Sequence, residues 1–234
     1  DATNDIDIAV GTAISMDAAV ASRKLMSLTS ALTKQLDAVW VVGTNQGGLD
    51  TGSIANTTYH VFVIMRSDTG VVDVLFSTSA TAPTMPTNYD FKRRIGSILR
   101  VGAAIVLFTQ TNDEFARTTL ANDVATTNPG ANAVTAPLSV PVGVKVDALI
   151  TANIQDSAAG NKVVRISDLA TTDVATTIAN SMLTMAGAGT SGSWRGTVRT
   201  DTSAQIRYRL DASGANTIIN IQTCGWIDTR GKYS

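Results

Sequence analysis

The sequence has 234 residues and a formal net charge of −1, and only 16% of its residues are charged. A chain of this length can form one large domain or two ordinary domains, each with its own core. The balanced charge lacks the basic excess by which proteins bind nucleic acid or an anionic membrane, so we expect neither partner. The low charged fraction is typical of a subunit covered by copies of itself, although a surface rich in Thr, Ala and Ser explains it about as well.

The N-terminal sequence DATNDIDIAV has neither the positive region nor the apolar region of a signal peptide, and the absent Met indicates a processed chain or an excised fragment. No apolar run approaches the roughly 18 residues that a membrane helix needs, so we expect a soluble protein without membrane insertion. A single cysteine, Cys224, excludes an internal disulfide, and a single histidine, His60, excludes a zinc site built from several histidines. We predict no metal and no cofactor.

Early in the chain one segment has the spacing of a helix. Leu32, Leu36 and Val39 recur at helical intervals behind Ser30, which is a suitable N-cap. The spacing predicts a short helix over residues 31–40 that packs on a sheet.

Two hairpins are predicted after that segment. The apolar runs TYHVFVIM and VVDVLF are separated by RSDTG, and Gly70 supplies the positive φ that such a turn requires. The runs RIGSILR and AIVLFTQ are predicted to form a second hairpin through Val101 and Gly102.

The middle of the chain, ANDVATTNPGANAVTAP, has the composition of a connector. We therefore place a boundary near residue 124, between an N-terminal β-sandwich domain (1–123) and a C-terminal jelly-roll-like domain (124–234).

The C-terminal half is dominated by period-two alternation. In PVGVKVDALITANIQ the apolar residues fall on one face and the polar residues on the other, and only Leu149 departs from this pattern. The segment QIRYRL alternates in the same way, and Ile219, Ile221 and Ile227 are predicted to share one face near the C-terminus. Turn sequences recur about every ten residues, so the fold class is an all-β, antiparallel β-sandwich or jelly roll with one short helix.

The tripeptide of aspartic proteases occurs twice, at Asp50-Thr51-Gly52 and Asp68-Thr69-Gly70. A two-lobed protease places its two aspartates in separate lobes so that they share one proton, whereas these lie only 18 positions apart. A protease with one motif per chain needs an apolar strand before the motif, and NQGG occupies that position. The preferred interpretation is two turns with Asp as a backbone acceptor.

Other reactive residues lack the neighbours that catalysis requires. Cys224 is interpreted as a small buried hydrophobe and His60 as a structural histidine, because no nucleophile motif accompanies either. Carboxylates for glycoside cleavage could come from Asp113-Glu114, Asp147 or Asp228, although sequence does not fix their separation. We expect a protein that is not an enzyme, with a glycan depolymerase as the enzymatic alternative.

Five residues near the C-terminus are candidate ligand-binding residues. The glycine-rich and serine-rich segment AGAGTSGSW delivers Trp194, which could stack on a sugar ring or pack in the core. If WRGTVRT and AQIRYRL are adjacent strands, their arginines form a ladder that could meet the anionic groups of a surface glycan. A solvated face, or pairing with Asp201 and Asp211, is the alternative. The ladder consists of Arg195, Arg199, Arg207 and Arg209.

The chain resembles a family of bacteriophage and prophage virion proteins described as tail-fibre or tail proteins. The resemblance runs through LTKQLDAVWVVGTNQGGLDTGSIANTTYHVFVIMRSDTGVVDVLFSTSATAPTMPTNYDFKRRIGSI, residues 32–98, and continues through FTQTNDEF to GWIDTRG. It implies a β-sandwich module of a virion that assembles with copies of itself, commonly as a trimer, and with other virion proteins. We expect a tail-fibre or receptor-binding module that contacts a host-surface glycan outside the cell. A capsid-decorating or head-fibre protein is the structural alternative.

Overall fold

A computed structural model describes residues 1, 3–16, 19–158 and 160–230. The chain is all-β and forms two compact units, Asp1–Val106 and Leu107–Ser234, called unit 1 and unit 2 below. Helical structure in the described residues is limited to two 3₁₀ turns, Val20–Ser22 and Ile178–Asn180.

The strands of unit 1 are β1 (Asp5–Ile8), β2 (Gly11–Ile14), β3 (Leu25–Leu28), β4 (Leu32–Val39), β5 (Gln46–Leu49), β6 (Thr58–Arg66), β7 (Val72–Ser77), β8 (Tyr89–Val101) and β9 (Ala104–Ile105). Those of unit 2 are β10 (Phe108–Thr111), β11 (Glu114–Thr127), β12 (Val134–Pro137), β13 (Asp147–Asp156), β14 (Lys162–Ser167), β15 (Leu183–Met185), β16 (Thr190–Arg199), β17 (Gln205–Leu210) and β18 (Thr217–Ile227).

Unit 1 is built on a seven-stranded mixed sheet. Its strand order is β1-β4-β5-β7-β6-β8-β9, with parallel pairing of β5 to both β4 and β7 and antiparallel pairing elsewhere. Strands β2 and β3 form a separate hairpin, whose β3 lies near β6 and β7. One cluster of buried apolar side chains on strands β6, β7 and β8, with partly buried Trp40 and Met85 packed against it, consists of Phe62, Ile64, Leu75 and Tyr89.

The helix predicted over residues 31–40 is wrong, because this segment is strand β4. Leu32 and Leu36 are four residues apart, a spacing that places them on one face of a strand as well as on one face of a helix. Val39 distinguishes the two structures, because a helix would place it on the same face as Leu32 and Leu36 and a strand places it on the opposite face. It is 64% exposed, as expected for the strand. Pairing with β1 and β5 satisfies the backbone on both sides of β4.

Lys34 lies on the inward face of β4 and is fully buried. Its Nζ donates to the carbonyl oxygens of Val41 (2.7 Å) and Gly43 (3.0 Å) and pairs with buried Asp73 at 3.1 Å. Asp73 also accepts a hydrogen bond from the Gly43 amide at 2.7 Å. Burial lowers the pKa of Lys34, and Asp73 opposes that effect. The pair therefore links β4 and β7 to the segment that follows β4.

Both predicted hairpins are present, the second in shortened form. Strands β6 and β7 pair in antiparallel fashion around Gly70, whose φ is 71°. Strand β8 turns through Gly102 (φ 59°) into β9, which has only two residues. The residues after Val106 enter unit 2 and form β10 there.

The boundary predicted near residue 124 differs from the observed division between Val106 and Leu107. Residues 114–127 form one strand, β11, that pairs with β18 along most of its length. This strand is rich in Ala, Thr and Asn, a composition that is also typical of a connector between domains. Pairing with β18, which is distant in sequence, makes this segment a strand.

Unit 2 is a jelly roll. Its two sheets have the orders β10-β11-β18-β13-β16 and β12-β17-β14-β15. If the eight strands from β11 to β18 are numbered one to eight, the sheets read 1-8-3-6 and 2-7-4-5, the order produced by two interlocked Greek keys. The jelly-roll-like fold predicted for the C-terminal domain is confirmed, and β10 extends one sheet at its edge.

The alternating strands of unit 2 bury the predicted faces, with one exception. On β13 the residues from Ala148 to Ile154 alternate between buried and half-buried, and β17 behaves in the same way. On β18, Ile219 and Ile221 are buried, but Ile227 is half-buried and turns outward. A bulge at Cys224 shifts the register with β13, and one extra residue reverses the face of every residue after it.

Candidate functional site

An open cleft of about 380 Å³ lies on unit 2, on the face of the five-stranded sheet that points away from the core. Its walls come from three neighbouring strands, β16, β13 and β18. The lining residues are Thr151, Ala152, Asn153, Ser193, Trp194, Arg195, Asn220 and Gln222. Two of these, Trp194 and Arg195, are among the residues predicted to bind a ligand.

The strand pairing arranges the outward side chains of the cleft in two parallel rows. Arg195 lies opposite Thr151, which lies opposite Gln222. Ser193, Asn153 and Asn220 form the second row in the same strand order. Neighbouring strands are about 4.8 Å apart and alternate residues of one strand about 7 Å apart, so the rows cover about 10 Å by 7 Å.

Hydroxyl, carboxamide and guanidinium groups make up these rows. Asn153 Nδ2 donates to Gly192 O (3.1 Å) and to Ser193 Oγ (3.0 Å), which fixes the orientation of its carboxamide. The oxygen of that carboxamide is a further acceptor. Such an arrangement binds ligands through several directional hydrogen bonds.

Arg195 is the only charged residue among the described residues that line the cleft. It is exposed, and its side chain forms no hydrogen bond or ion pair with any residue that the structure describes. Its five N–H donors are therefore available to a ligand.

The predicted arginine ladder is not formed, because β16 and β17 belong to different sheets of the jelly roll. Arg199 forms a bidentate pair with Asp147 at 2.8 and 3.0 Å. Arg209 pairs with Asp173 at 2.7 Å, and Arg207 donates to the carbonyl oxygen of Thr171 at 2.7 Å. Only Arg195 of the four lines the cleft.

Trp194 lies within strand β16 and not on the loop that precedes it. It pairs with buried Ala152, so the two side chains share the inward face of the sheet, opposite to Arg195. Its ring lies over Gly196, where an added Cβ would come within 2.2 Å of it. The glycines of this segment serve close packing: at Gly192 a Cβ would lie 2.3 Å from the Thr184 carbonyl oxygen.

The two Asp-Thr-Gly segments lie at opposite ends of β7. The Asp50 amide donates to Phe76 O near the end of this strand, whereas Asp68 lies in the turn that precedes it. Asp50 accepts a hydrogen bond from the Thr84 amide at 2.8 Å, and Asp68 pairs with Arg66. These two carboxylates of one chain are too far apart to share a proton.

The structure brings together two of the carboxylates considered for glycoside cleavage. Glu114 and Asp147 each lie opposite Ile227, on the two strands that flank β18. Asp147 is held by Arg199, however, and Asp228 is 1% exposed. Asp113 pairs with Arg230.

The remaining reactive residues are buried. His60 is 1% exposed, and its Nδ1 shares a hydrogen bond of 2.8 Å with Ser97 Oγ. Cys224 is buried in the bulge of β18, which confirms its interpretation as a buried hydrophobe. Across residues 1, 3–16, 19–158 and 160–230 there is no group of three or more His, Cys, Asp or Glu residues placed to hold a metal ion.

Thr151 and Asn153 alternate with buried residues of β13, as Asn220 and Gln222 do on β18. None of the four carries a sequence signal that selects it as a binding residue. Their polarity is ordinary for the exposed side of a strand, and nothing local distinguishes them from Gln155 or Thr197. What brings them together is the pairing of β13 with both β16 and β18. That pairing joins β13 to segments about 45 and about 70 residues later in the sequence, and alternation within one strand does not reveal it.

Comparison of the sequence with protein-family models and with curated proteins found no match. In the described part of the chain, no helix has the length and apolar character needed to cross a membrane.

Proposed function

We propose that this chain is a structural module of a bacteriophage or prophage virion: a tail-fibre or receptor-binding module that assembles with copies of itself and contacts the host surface. The resemblance of residues 32–98 to phage tail proteins supports the virion assignment. The observation that carries the contact with the host is the open cleft of unit 2, with its two rows of polar side chains and an arginine whose side chain has no partner among the described residues. Hydroxyl and carboxamide groups are suited to the hydroxyl groups of a glycan.

An exposed apolar surface supports self-assembly. Ile14 and Leu25 are cross-strand partners on the β2–β3 hairpin and are 50% and 60% exposed, and Val20 nearby in the chain is 73% exposed. Clustered aliphatic side chains of this kind are favourable where another subunit covers them. We propose a homotrimer, joined to other virion proteins, that acts outside the cell. Several identical clefts on one particle then raise a weak affinity through multivalency.

Two measurements on the purified chain test this function. Light scattering coupled to size exclusion is expected to give a trimeric mass, and Ile14→Asp is expected to lower that mass without loss of the β-sheet signal in circular dichroism. Ser27→Asp, on the same exposed face of the hairpin, serves as the control and is expected to leave the mass unchanged.

Preincubation of host bacteria with the chain is then expected to reduce phage adsorption, whereas heat-unfolded chain has no effect. Antibody labelling in electron micrographs of virions locates the protein. Label on the capsid together with unchanged adsorption would replace the receptor-binding function with capsid decoration.

A further inference from the structure

We infer that the cleft of unit 2 binds an acidic saccharide, a sugar that carries one anionic group, and that Arg195 is the residue that binds this group. The biological role of such a ligand, as part of a host-surface glycan, rests on the proposed function. The chemistry of recognition rests on the cleft alone.

The charge of the cleft indicates the charge of the ligand. Arg195 is exposed and has no partner among the described residues, whereas Arg199 on the same strand is neutralised by Asp147. The other lining residues are neutral. A guanidinium group binds a carboxylate or a phosphate through two parallel hydrogen bonds. One unpaired cation in a neutral surface therefore matches one anionic group.

The remaining groups indicate a ligand with many hydroxyl groups. Thr151 and Ser193 offer hydroxyls, and Asn153, Asn220 and Gln222 offer carboxamides, which both donate and accept. A nucleic acid would require several cations, one for each phosphate that it presents. A lipid tail would require apolar side chains that point outward, and the two rows contain none. Sugar hydroxyls, which also donate and accept, match these side chains best.

The size of the cleft limits the ligand to about one or two sugar rings. The volume of about 380 Å³ lies at the lower end of ligand-binding pockets. The two rows of side chains cover about 10 Å by 7 Å, a footprint set by strand spacing and residue rise. Arg195 lies at one end of its row, so the anionic group is expected at the β16 side and the hydroxyls across β13 and β18.

Recognition in this cleft does not use aromatic stacking by Trp194, whose side chain lies on the inward face. Affinity for one sugar then depends on hydrogen bonds and one charged contact, both exposed to water. The anionic group is expected to supply most of the selectivity, because hydrogen bonds to charged groups contribute more than neutral ones.

The test is an NMR titration of the ¹⁵N-labelled full chain at physiological ionic strength with glucuronate, glucose 6-phosphate, glucose and acetate. Glucuronate or glucose 6-phosphate is expected to bind at least about tenfold more tightly than glucose and to shift the amides of Thr151, Asn153 and Gln222. The tighter of the two anionic sugars identifies the anionic group. Acetate is expected to bind more weakly than either, because it lacks the hydroxyls.

Arg195→Gln is expected to reduce the affinity for the anionic sugar about tenfold, to that of glucose. Arg195→Lys, which keeps the charge but not the bidentate geometry, is expected to lie between the two. Arg199→Gln is the matched control on the same strand and is expected to change the affinity less than twofold, because screening over about 8 Å weakens its effect on the cleft.

Equal binding of glucose and both anionic sugars would overturn the inference, as would an Arg195→Gln variant with unchanged affinity. If acetate binds as tightly as the anionic sugars, the cleft recognises only the anionic group, and the inference that its ligand is a saccharide is wrong. If the wild-type chain and the Arg195→Gln variant block phage adsorption equally well, the host contact lies elsewhere on the surface, while the proposed function still holds.

Discussion

Strand β4 of unit 1 and strand β13 of unit 2 are both inner strands of their sheets, yet only β13 was predicted correctly. On β13 the inward residues from Ala148 to Ile154 are all apolar, so hydrophobic alternation and burial coincide, and the one buried carboxylate, Asp156, lies only at the end of the strand. On β4 the inward positions include Lys34, which is fully buried. Asp73 and two carbonyl oxygens compensate its buried charge. A charge on the inward face hides the period of a strand, because hydrophobicity no longer reports burial.

Among substitutions that compare the inward faces of the two strands, Ile150→Asp in β13 is expected to lower the free energy of unfolding most. Ile150 is fully buried and has apolar neighbours on its face, so the new carboxylate would have no compensating partner. We expect a loss of more than about 4 kcal/mol, sufficient to prevent unit 2 from folding. Urea unfolding followed by circular dichroism measures the loss.

Gln155→Asp provides the control for this variant on the same strand. Gln155 is exposed, so its replacement is expected to change the free energy of unfolding by no more than about 0.5 kcal/mol. A folded Ile150→Asp chain with the stability of this control would contradict the inward assignment of β13.

A smaller but still large effect is expected from Lys34→Met in β4. The substitution removes the cation and leaves Asp73 buried with an uncompensated charge, at a cost of about 3–5 kcal/mol. Unfolding of unit 1, followed by the fluorescence of Trp40 near Lys34, reports this loss. Lys145→Met, at an exposed lysine of unit 2, is expected to be near neutral. A loss for Lys34→Met as small as that of the control would show that the pair stabilises nothing.

The smallest effect is expected at the turn between β6 and β7, where a charged pair is exposed instead of buried. The side-chain hydrogen bond from Arg66 lowers the pKa of Asp68 to about 2. Because the folded pKa lies below 3.8, the ordinary value for an aspartate in an unfolded chain, the pair stabilises the fold above that value, and the stabilisation is lost as pH falls through about 2.

Arg66→Gln is expected to return the Asp68 pKa toward 3.8 in an NMR titration of carboxyl groups. The pKa of Asp168, lowered by its hydrogen bonds with Thr171, is expected to stay unchanged and serves as the control. An Asp68 pKa that remains low in the variant would assign the shift to the backbone of the turn.

Much of the fold could be predicted from local pattern. Gly70 and Gly102 identified their turns, and the alternation of β13 and β17 gave both the strands and their buried faces. The prediction was wrong where a long-range contact decides the local structure. Residues 31–40 form a strand because β1 and β5 pair with them, and Ile227 turns outward because of the bulge at Cys224.

The candidate site could be predicted only in part. Arg195 was selected, but as one member of a ladder that required β16 and β17 to be neighbours. The jelly roll instead places β16 beside β13, which gives Arg195 a polar row and gives the other three arginines partners in the protein. Sheet order depends on contacts between distant segments, and no alternation within a strand specifies it.

The central position of β18 has a consequence for synthesis on the ribosome. This strand, which ends at Ile227, is the last strand that the structure describes but lies between β11 and β13 in its sheet. Every strand of unit 1 has been translated by residue 105, so unit 1 can fold early. In unit 2, the edges of β11 and β13 that pair with β18 must wait for about 100 and about 70 further residues, respectively. The five-stranded sheet of unit 2 is therefore completed late. Until β18 has been translated, the nascent chain exposes two unpaired strand edges, with which strands of neighbouring nascent copies could pair.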